Sequence, residues 1–284
     1  MSLSSPRSNP LVLVLGLASS LLFGCDSSPP ASEGGDPAGG AASAEPTPPP
    51  APPEPPSQEP VRVTFTTEDG VTLVGTFQQG GRADAPAVIL LHQLGSNRAE
   101  WAELIAPLAE SPGLTILSVD LRGHGESTAG PEGSTLDFRS FEVAAWQQLG
   151  LDAKASMAFL EAHPSANPSR IVIVGASIGS SAAILAAAED ERIAALALLS
   201  PGRAYRGIDA ITPLSRLGER PLLALAARED LHASEAARDM ARISSVGHLI
   251  EIPGAAHGTA MLRESPTLRA RLVAFVREPE TFAR

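Results

Sequence analysis

One serine in this sequence stands where an apolar run gives way to a helical pattern. Ser177 lies within IVIVGASIG, residues 171–179, which fits the pattern G-x-S-x-G. The apolar residues before the serine are typical of a buried strand, and the alanine- and serine-rich stretch after it is typical of a closely packed helix. The two flanking glycines leave room for a sharp turn that projects the hydroxyl. Ser177 is therefore a candidate nucleophile.

A serine hydroxyl is a weak nucleophile until an oriented base takes its proton. His257 follows the last apolar run within the small-residue stretch GAAHG, which makes it the candidate base. Asp230 follows the preceding apolar run and is the candidate acid, with the neighbouring Glu229 as the alternative. Three other histidines are interpreted as surface or packing residues: His163, His232 and His248.

The elements that must position these side chains alternate along the chain. Two apolar runs at 61–67 and 71–77 are joined across a turn and indicate an antiparallel hairpin. Continuous apolar runs predict further strands, covered on both faces, at 87–91, 114–119, 170–175, 195–200, 221–226 and 248–253. Helices are predicted at 97–111, 143–162, 178–189, 234–243 and 265–277. This alternation predicts an open α/β sheet whose ligands bind at the carboxyl ends of the strands, where the candidate residues fall.

The order nucleophile, acid, histidine at strand ends resembles the α/β-hydrolase superfamily, and most closely its dienelactone-hydrolase-like and carboxylesterase members. The resemblance covers residues 61–284. It implies an α/β-hydrolase fold: a mostly parallel eight-stranded sheet with an antiparallel N-terminal hairpin and helices on both faces. Residues 201–220 are too few for a large lid domain and predict one short helix. The activity implied is hydrolysis of an ester or related acyl bond through an acyl-enzyme, with no cofactor and no metal.

The same resemblance assigns two backbone N–H groups to an oxyanion hole. One belongs to Ile178, directly after the serine. The other belongs to Leu94, in the loop after the strand at 87–91. Gln93 stands where the family usually has glycine, which makes its side chain a candidate polar group of the pocket. The stretch DLRGHGES, residues 120–127, also resembles a family motif, one that braces the loops beside the serine and does not make His124 catalytic.

The first sixty residues carry a different pattern. Residues 11–24 are apolar and follow Arg7, which is typical of a secretory signal. The stretch LLFGC resembles the lipobox of bacterial lipoproteins and implies a signal peptide at 1–24 and a lipid on Cys25. An ordinary cleaved signal and a retained N-terminal span are the alternatives. Residues 25–60 are rich in proline and contain no aliphatic residue larger than alanine, which predicts a disordered tether before a folded domain at 61–284.

Charge and cysteine content narrow the range of partners. A formal net charge of −11 disfavours nucleic acid, whose phosphates need clustered cations. A single cysteine excludes an internal disulfide and a cysteine-based zinc site. The sequence thus predicts a serine hydrolase for a small-molecule ester or acyl substrate, lipid-anchored at a membrane of the bacterial cell envelope. A peptidase or amidase of the same fold and a non-catalytic envelope binding protein are the alternatives.

Overall fold

Parallel strands dominate the central sheet of the computed structural model, which describes residues 59–81, 85–110, 113–163 and 170–282. In chain order the described strands are β1 (Val61–Thr66), β2 (Thr72–Gln78), β3 (Ala87–Leu91), β4 (Thr115–Asp120), β5 (Ile171–Ala176), β6 (Ile193–Leu199), β7 (Ala204–Tyr205), β8 (Ile208–Asp209), β9 (Leu222–Ala227) and β10 (Gly247–Ile252). Eight of them form one sheet in the order β1-β2-β4-β3-β5-β6-β9-β10, and β7 and β8 form a separate hairpin.

Strand direction follows the predicted pattern. β1 pairs with β2, and β2 with β4, in antiparallel fashion, whereas every other pairing in the large sheet is parallel. Strands β3, β4, β5 and β9 are buried at every residue, because helices cover both of their faces. The predicted eight-stranded sheet with an antiparallel N-terminal hairpin is confirmed.

Helices cover the two faces of the sheet. The described α-helices are α1 (Ala102–Ala109), α2 (Val143–Gln147), α3 (Leu149–Glu161), α4 (Ile178–Ala187), α5 (Ile211–Leu214), α6 (Leu231–Ile243), α7 (Ala260–Glu264) and α8 (Pro266–Arg277), and short 3₁₀ helices lie at Arg98–Trp101, Pro131–Gly133, Phe138–Ser140 and Pro279–Phe282. Alternate residues of β3 divide between the faces: Ile89 packs with α3 and α4, and Leu90 packs with α1 and α8. The core therefore has two layers, as the period of two along a strand requires.

Three local predictions differ from the structure. The helix predicted at 143–162 is interrupted at Gln148, and α6 begins at Leu231, three residues before the predicted start. Residues 201–220 hold the β7–β8 hairpin as well as the one-turn helix α5, so the prediction of a single short helix there was incomplete. No lid domain lies between β6 and β9, all of which the structure describes.

The predicted signal peptide 1–24, Cys25 and tether residues 26–58 lie outside the described residues. In the part of the chain that is described, every helix is too short or too polar to cross a bilayer.

Candidate active site

Ser177 occupies the turn between β5 and α4. Its backbone has φ +50°, a left-handed conformation that costs a non-glycine residue energy and persists only where the surroundings enforce it. Its N–H donates to the carbonyl of Leu199 at 2.8 Å, which fixes the turn to β6. Glycine is required on both sides, because a Cβ at Gly175 would collide with the backbone of Gly179, and a Cβ at Gly179 would collide with the carbonyl of Leu91.

His257 and Asp230 come from neighbouring strand ends and contact each other. Nδ1–H of His257, in the loop after β10, donates to Oδ2 of Asp230, directly before α6, at 2.6 Å. This bond sets the tautomer, because a proton on Nδ1 leaves the lone pair of Nε2 free to accept one. The alternative acid, Glu229, is exposed, and its N–H bonds to the carbonyl of Gly254.

One pocket joins the three residues. A cavity of about 540 Å³ is lined by Ser177, Asp230 and His257 together. One wall is the segment Pro201–Tyr205, whose last two residues form β7. Another wall is the first turn of α6, with His232 and Glu235. No hydrogen bond joins the Ser177 hydroxyl to another described residue, so the hydroxyl is available to a ligand. A serine, an imidazole and a carboxylate around one cavity can carry acyl transfer.

The two predicted oxyanion donors lie at the start of α4 and in the loop after β3. These two elements approach closely where Gly179 meets the carbonyl of Leu91. Ile178 is the first residue of α4, where an N–H has no partner within the helix, and it lines the pocket. Leu94 follows β3 and is half-buried, but it does not line the cavity. In the described residues neither N–H donates a backbone hydrogen bond, which leaves both free for an oxyanion.

The loop that carries Leu94 is held by a half-buried and a buried side chain that sequence reasoning did not single out. Glu100 accepts from the N–H of Gln93 at 2.9 Å through Oε1, and burial raises the pKa of its carboxyl. His92 donates from Nδ1 to the carbonyl of Gln93 at 2.8 Å and accepts from Leu121 N–H at Nε2 at 3.0 Å. Burial lowers the pKa of His92 to about 4, so the ring is neutral and structural.

The side chain of Gln93 does not enter the pocket, contrary to the expectation from the sequence. It lies against Gly258, where a Cβ would overlap its Oε1. That Oε1 is buried and has no hydrogen-bond partner among the described residues.

The motif at 120–127 braces loops through its polar groups. Asp120 accepts from the backbone N–H groups of Arg98 at 2.7 Å and Glu126 at 2.8 Å. Ser127 donates from its hydroxyl to the carbonyl of Asp120 and accepts from Val74 N–H. His124 stacks on the ring of Phe138, with the ring centroids 4.0 Å apart, away from the pocket.

A larger open groove of about 760 Å³ lies between α1 and strands β2 and β4. Its cation, Arg98, is paired with Asp120 and Glu126, and no nucleophile with a base lines it. The smaller cavity is therefore the candidate active site.

Two pocket residues were missed or placed elsewhere by sequence reasoning. His232, interpreted as a surface or packing residue, is exposed, and because α6 begins early it also lines the cavity. Ser200 was not singled out, although it follows β6 directly and lines the cavity. Its position at the carboxyl end of a parallel strand was the available signal.

No group of three or more histidine, cysteine, aspartate or glutamate side chains able to hold a metal ion occurs in the described ranges.

The chain matches a protein-family model. The sequence model of the alpha/beta hydrolase fold family matches residues 86–239, a range that contains Ser177 and Asp230 and ends before His257.

The chain is also similar to individual curated proteins, over about half of its length. The chain is 30% identical to "Polyketide transferase ATR5" of Stachybotrys chlorohalonatus over 139 residues, 49% of this chain and 43% of that protein. It is 27% identical to "Quorum-quenching protein AidA" of Acinetobacter baumannii, over 49% of this chain and 43% of that protein. The chain thus spans less than half the length of these curated relatives.

Solved structures share the fold over most of the chain. An esterase of Pyrococcus furiosus, Pf2001, superposes with a TM-score of 0.63 at 20% identity, covering 78% of this chain and 92% of the esterase. The enol-lactonase of Burkholderia xenovorans LB400 superposes with a TM-score of 0.61 at 18% identity, covering 76% and 100%.

Proposed function

Because the chain belongs to the alpha/beta hydrolase fold family, we propose that it is a serine hydrolase that cleaves an ester or related acyl bond. The observation that carries the proposal is the 2.6 Å bond from His257 Nδ1 to Asp230, beside the same cavity that Ser177 lines. This bond leaves Nε2 as the proton acceptor, which is the atom a general base needs.

The reaction follows from these roles. His257 takes the proton of the Ser177 hydroxyl as the oxygen attacks the acyl carbon, and Asp230 stabilises the resulting imidazolium. The N–H groups of Leu94 and Ile178 bind the oxyanion of the tetrahedral intermediate. His257 then protonates the leaving alcohol and activates a water, which releases the acid and restores the serine.

The finer kinship with dienelactone-hydrolase-like and carboxylesterase members belongs to the same proposal. It is supported by the short connection between β6 and β9, which holds a hairpin and one helical turn. The cavity wall combines the polar side chains of Arg203, His232 and Glu235 with apolar residues, so the acyl chain length that it accepts is left to experiment.

A fluorophosphonate probe tests the nucleophile. The wild-type chain should be labelled, and Ser177→Ala should not be. An unlabelled wild type would instead favour a non-catalytic binding protein. Hydrolysis rates for p-nitrophenyl acetate, p-nitrophenyl palmitate and aminoacyl anilides then separate an esterase for small acyl groups from a lipase or a peptidase.

We also propose that Cys25 carries a lipid that anchors the domain 61–284 at the bacterial envelope through a tether at 25–60. Acyl chains contribute roughly 0.8 kcal/mol per buried CH₂, enough for stable attachment when several are present. Membrane association should disappear in Cys25→Ala. A variant that stays in the membrane fraction would point to a retained N-terminal span.

A further inference from the structure

We propose that Ser200 is a positioning residue that holds the loop of His257 in register with Ser177. This inference rests on the proposed function, since His257 is the base of the proposed reaction.

The contact that carries the proposal is a buried hydrogen bond. Gly258 N–H donates to the Ser200 hydroxyl oxygen at 2.9 Å, and both residues are buried. Gly258 directly follows His257, so this bond fixes the peptide that carries the imidazole. A buried N–H must have a partner, and this one bonds to a side chain. Removing the hydroxyl leaves the amide unpaired and frees the loop to move.

The backbone of Ser200 is unusual for a serine. Its φ is +48°, in the left-handed region that glycine enters without strain. Its own N–H is held by the carbonyl of Leu225 in β9 at 2.8 Å. Glycine would satisfy the backbone better, so the feature that serine adds at this position is the hydroxyl group.

Residues at the end of β6 hydrogen-bond both to the turn that carries Ser177 and to the loop that carries His257. The carbonyl of Leu199 accepts the N–H of Ser177 at 2.8 Å, and the next residue, Ser200, accepts the N–H of Gly258. Two adjacent residues therefore fix the turn of Ser177 and the loop of His257 relative to each other. The third member, Asp230, holds the imidazole from the side of β9. The hydrogen bond from Gly258 to Ser200 prevents the loop of His257 from rotating about the contact between His257 and Asp230.

Two substitutions separate the hydroxyl from the backbone strain. Ser200→Gly removes the hydroxyl and relieves the positive φ, whereas Ser200→Ala removes the hydroxyl and keeps the strain. We expect kcat for p-nitrophenyl acetate to fall roughly 10- to 100-fold in both variants, because a displacement of about 1 Å costs that much. KM should change little, since the ground-state contacts remain. The melting temperature should fall more in Ser200→Ala than in Ser200→Gly.

A matched control is Ser156→Ala, which removes a buried hydroxyl that donates to the carbonyl of Asp152 inside α3. It should keep the wild-type kcat. Amide exchange of the peptide 254–262, measured by mass spectrometry, gives a readout that does not depend on turnover. Exchange there should be faster in Ser200→Gly than in the wild type and unchanged in Ser156→Ala.

The outcomes are distinct. Wild-type kcat or unchanged exchange at 254–262 in Ser200→Gly overturns the positioning role, and a rise in KM alone overturns it in favour of substrate contact. A wild-type chain that neither turns over esters nor reacts with fluorophosphonate refutes the proposed function. In that case the exchange measurement still decides whether Ser200 holds the loop.

Discussion

Acidification should destabilise the fold through His92, the first residue after β3. The ring is fully buried, donates from Nδ1 to Gln93 and accepts from Leu121 N–H at Nε2. Protonation of Nε2 would turn that acceptor into a donor facing another N–H. Burial lowers the pKa of His92 from 6.5 to about 4 in the folded chain.

The magnitude follows from proton linkage. Between pH 6.5 and pH 4 the unfolded chain binds a proton at this histidine and the folded chain does not, so stability rises with pH in this window. The contribution is present in full above pH 6.5 and is lost as the pH falls. At 1.36 kcal/mol per pH unit, the loss is about 2 kcal/mol at pH 5 and about 3 kcal/mol at pH 4.

Urea unfolding of the wild type and His92→Gln at a series of pH values from 7.5 to 5 measures this contribution. The glutamine amide oxygen can still accept from Leu121 N–H but does not titrate. We expect the variant to start about 1 kcal/mol less stable at pH 7.5 and then to lose about 2 kcal/mol less than the wild type by pH 5. His124, with its ring centroid 5.0 Å away, is present in both proteins, so its contribution largely cancels in the comparison.

A control separates titration from general destabilisation. Leu104→Ala removes buried apolar contacts in α1 and no titrating group, so it should lower the whole curve and keep the wild-type slope. Equal slopes for the wild type and His92→Gln between pH 6.5 and pH 5 would refute the reasoning.

Three further substitutions test single contacts. Gly179→Ala should cost about 3 kcal/mol or more in urea unfolding, because its Cβ meets a backbone carbonyl of β3 that has little room to move. Glu100→Ala should lower kcat roughly 10-fold with little change in KM, because the N–H of Gln93 loses its acceptor and the loop with Leu94 loosens. Arg122→Met should lower the free energy of unfolding by about 3–5 kcal/mol, because the buried carboxylate of Asp152 loses its ion-pair partner and keeps only the backbone N–H of residue 122.

Each of these has an informative partner variant. Gly202→Ala, where the nearest atom would lie 3.7 Å from the new Cβ, should leave stability nearly unchanged. Glu100→Gln keeps an acceptor for Gln93 and should retain more kcat than Glu100→Ala. Arg122→Met combined with Asp152→Asn removes the charge but keeps an acceptor for the buried N–H of residue 122, so it should recover part of the stability, and failure to recover any would contradict the unpaired-charge argument.

The sequence predicted the strands better than the details of the connections. All eight strands of the large sheet were predicted to within two residues, because buried parallel strands are continuous apolar runs bounded by polar residues. The spatial order of the strands, in which β4 lies between β2 and β3, cannot be read from the periodicity of the sequence and was not predicted. The β7–β8 hairpin was missed because two-residue strands carry almost no pattern.

The sequence predicted the candidate site residues that directly follow strands. It did not predict the residues that support the site by holding a neighbouring loop. Ser177, Asp230 and His257 were selected because strand ends meet at one edge of a parallel sheet, and their catalytic roles stay predictions. Glu100 and Ser200 were not selected, because a glutamate in a helix and a serine after a strand have many ordinary roles. Their importance depends on which backbone N–H each one meets, Gln93 for one and Gly258 for the other.

The side chain of Gln93 packs against Gly258. The Gln93 side chain occupies the space beside Gly258, which has no side chain and has φ +57°. Any side chain at 258 would overlap the Gln93 amide and would also have to adopt a left-handed backbone. The glutamine that replaces the family's usual glycine therefore packs against the base loop and leaves the cavity free. With Ser200 bonding Gly258 and Gln93 packing against it, the backbone beside His257 is held by two separate elements, β6 and the loop after β3.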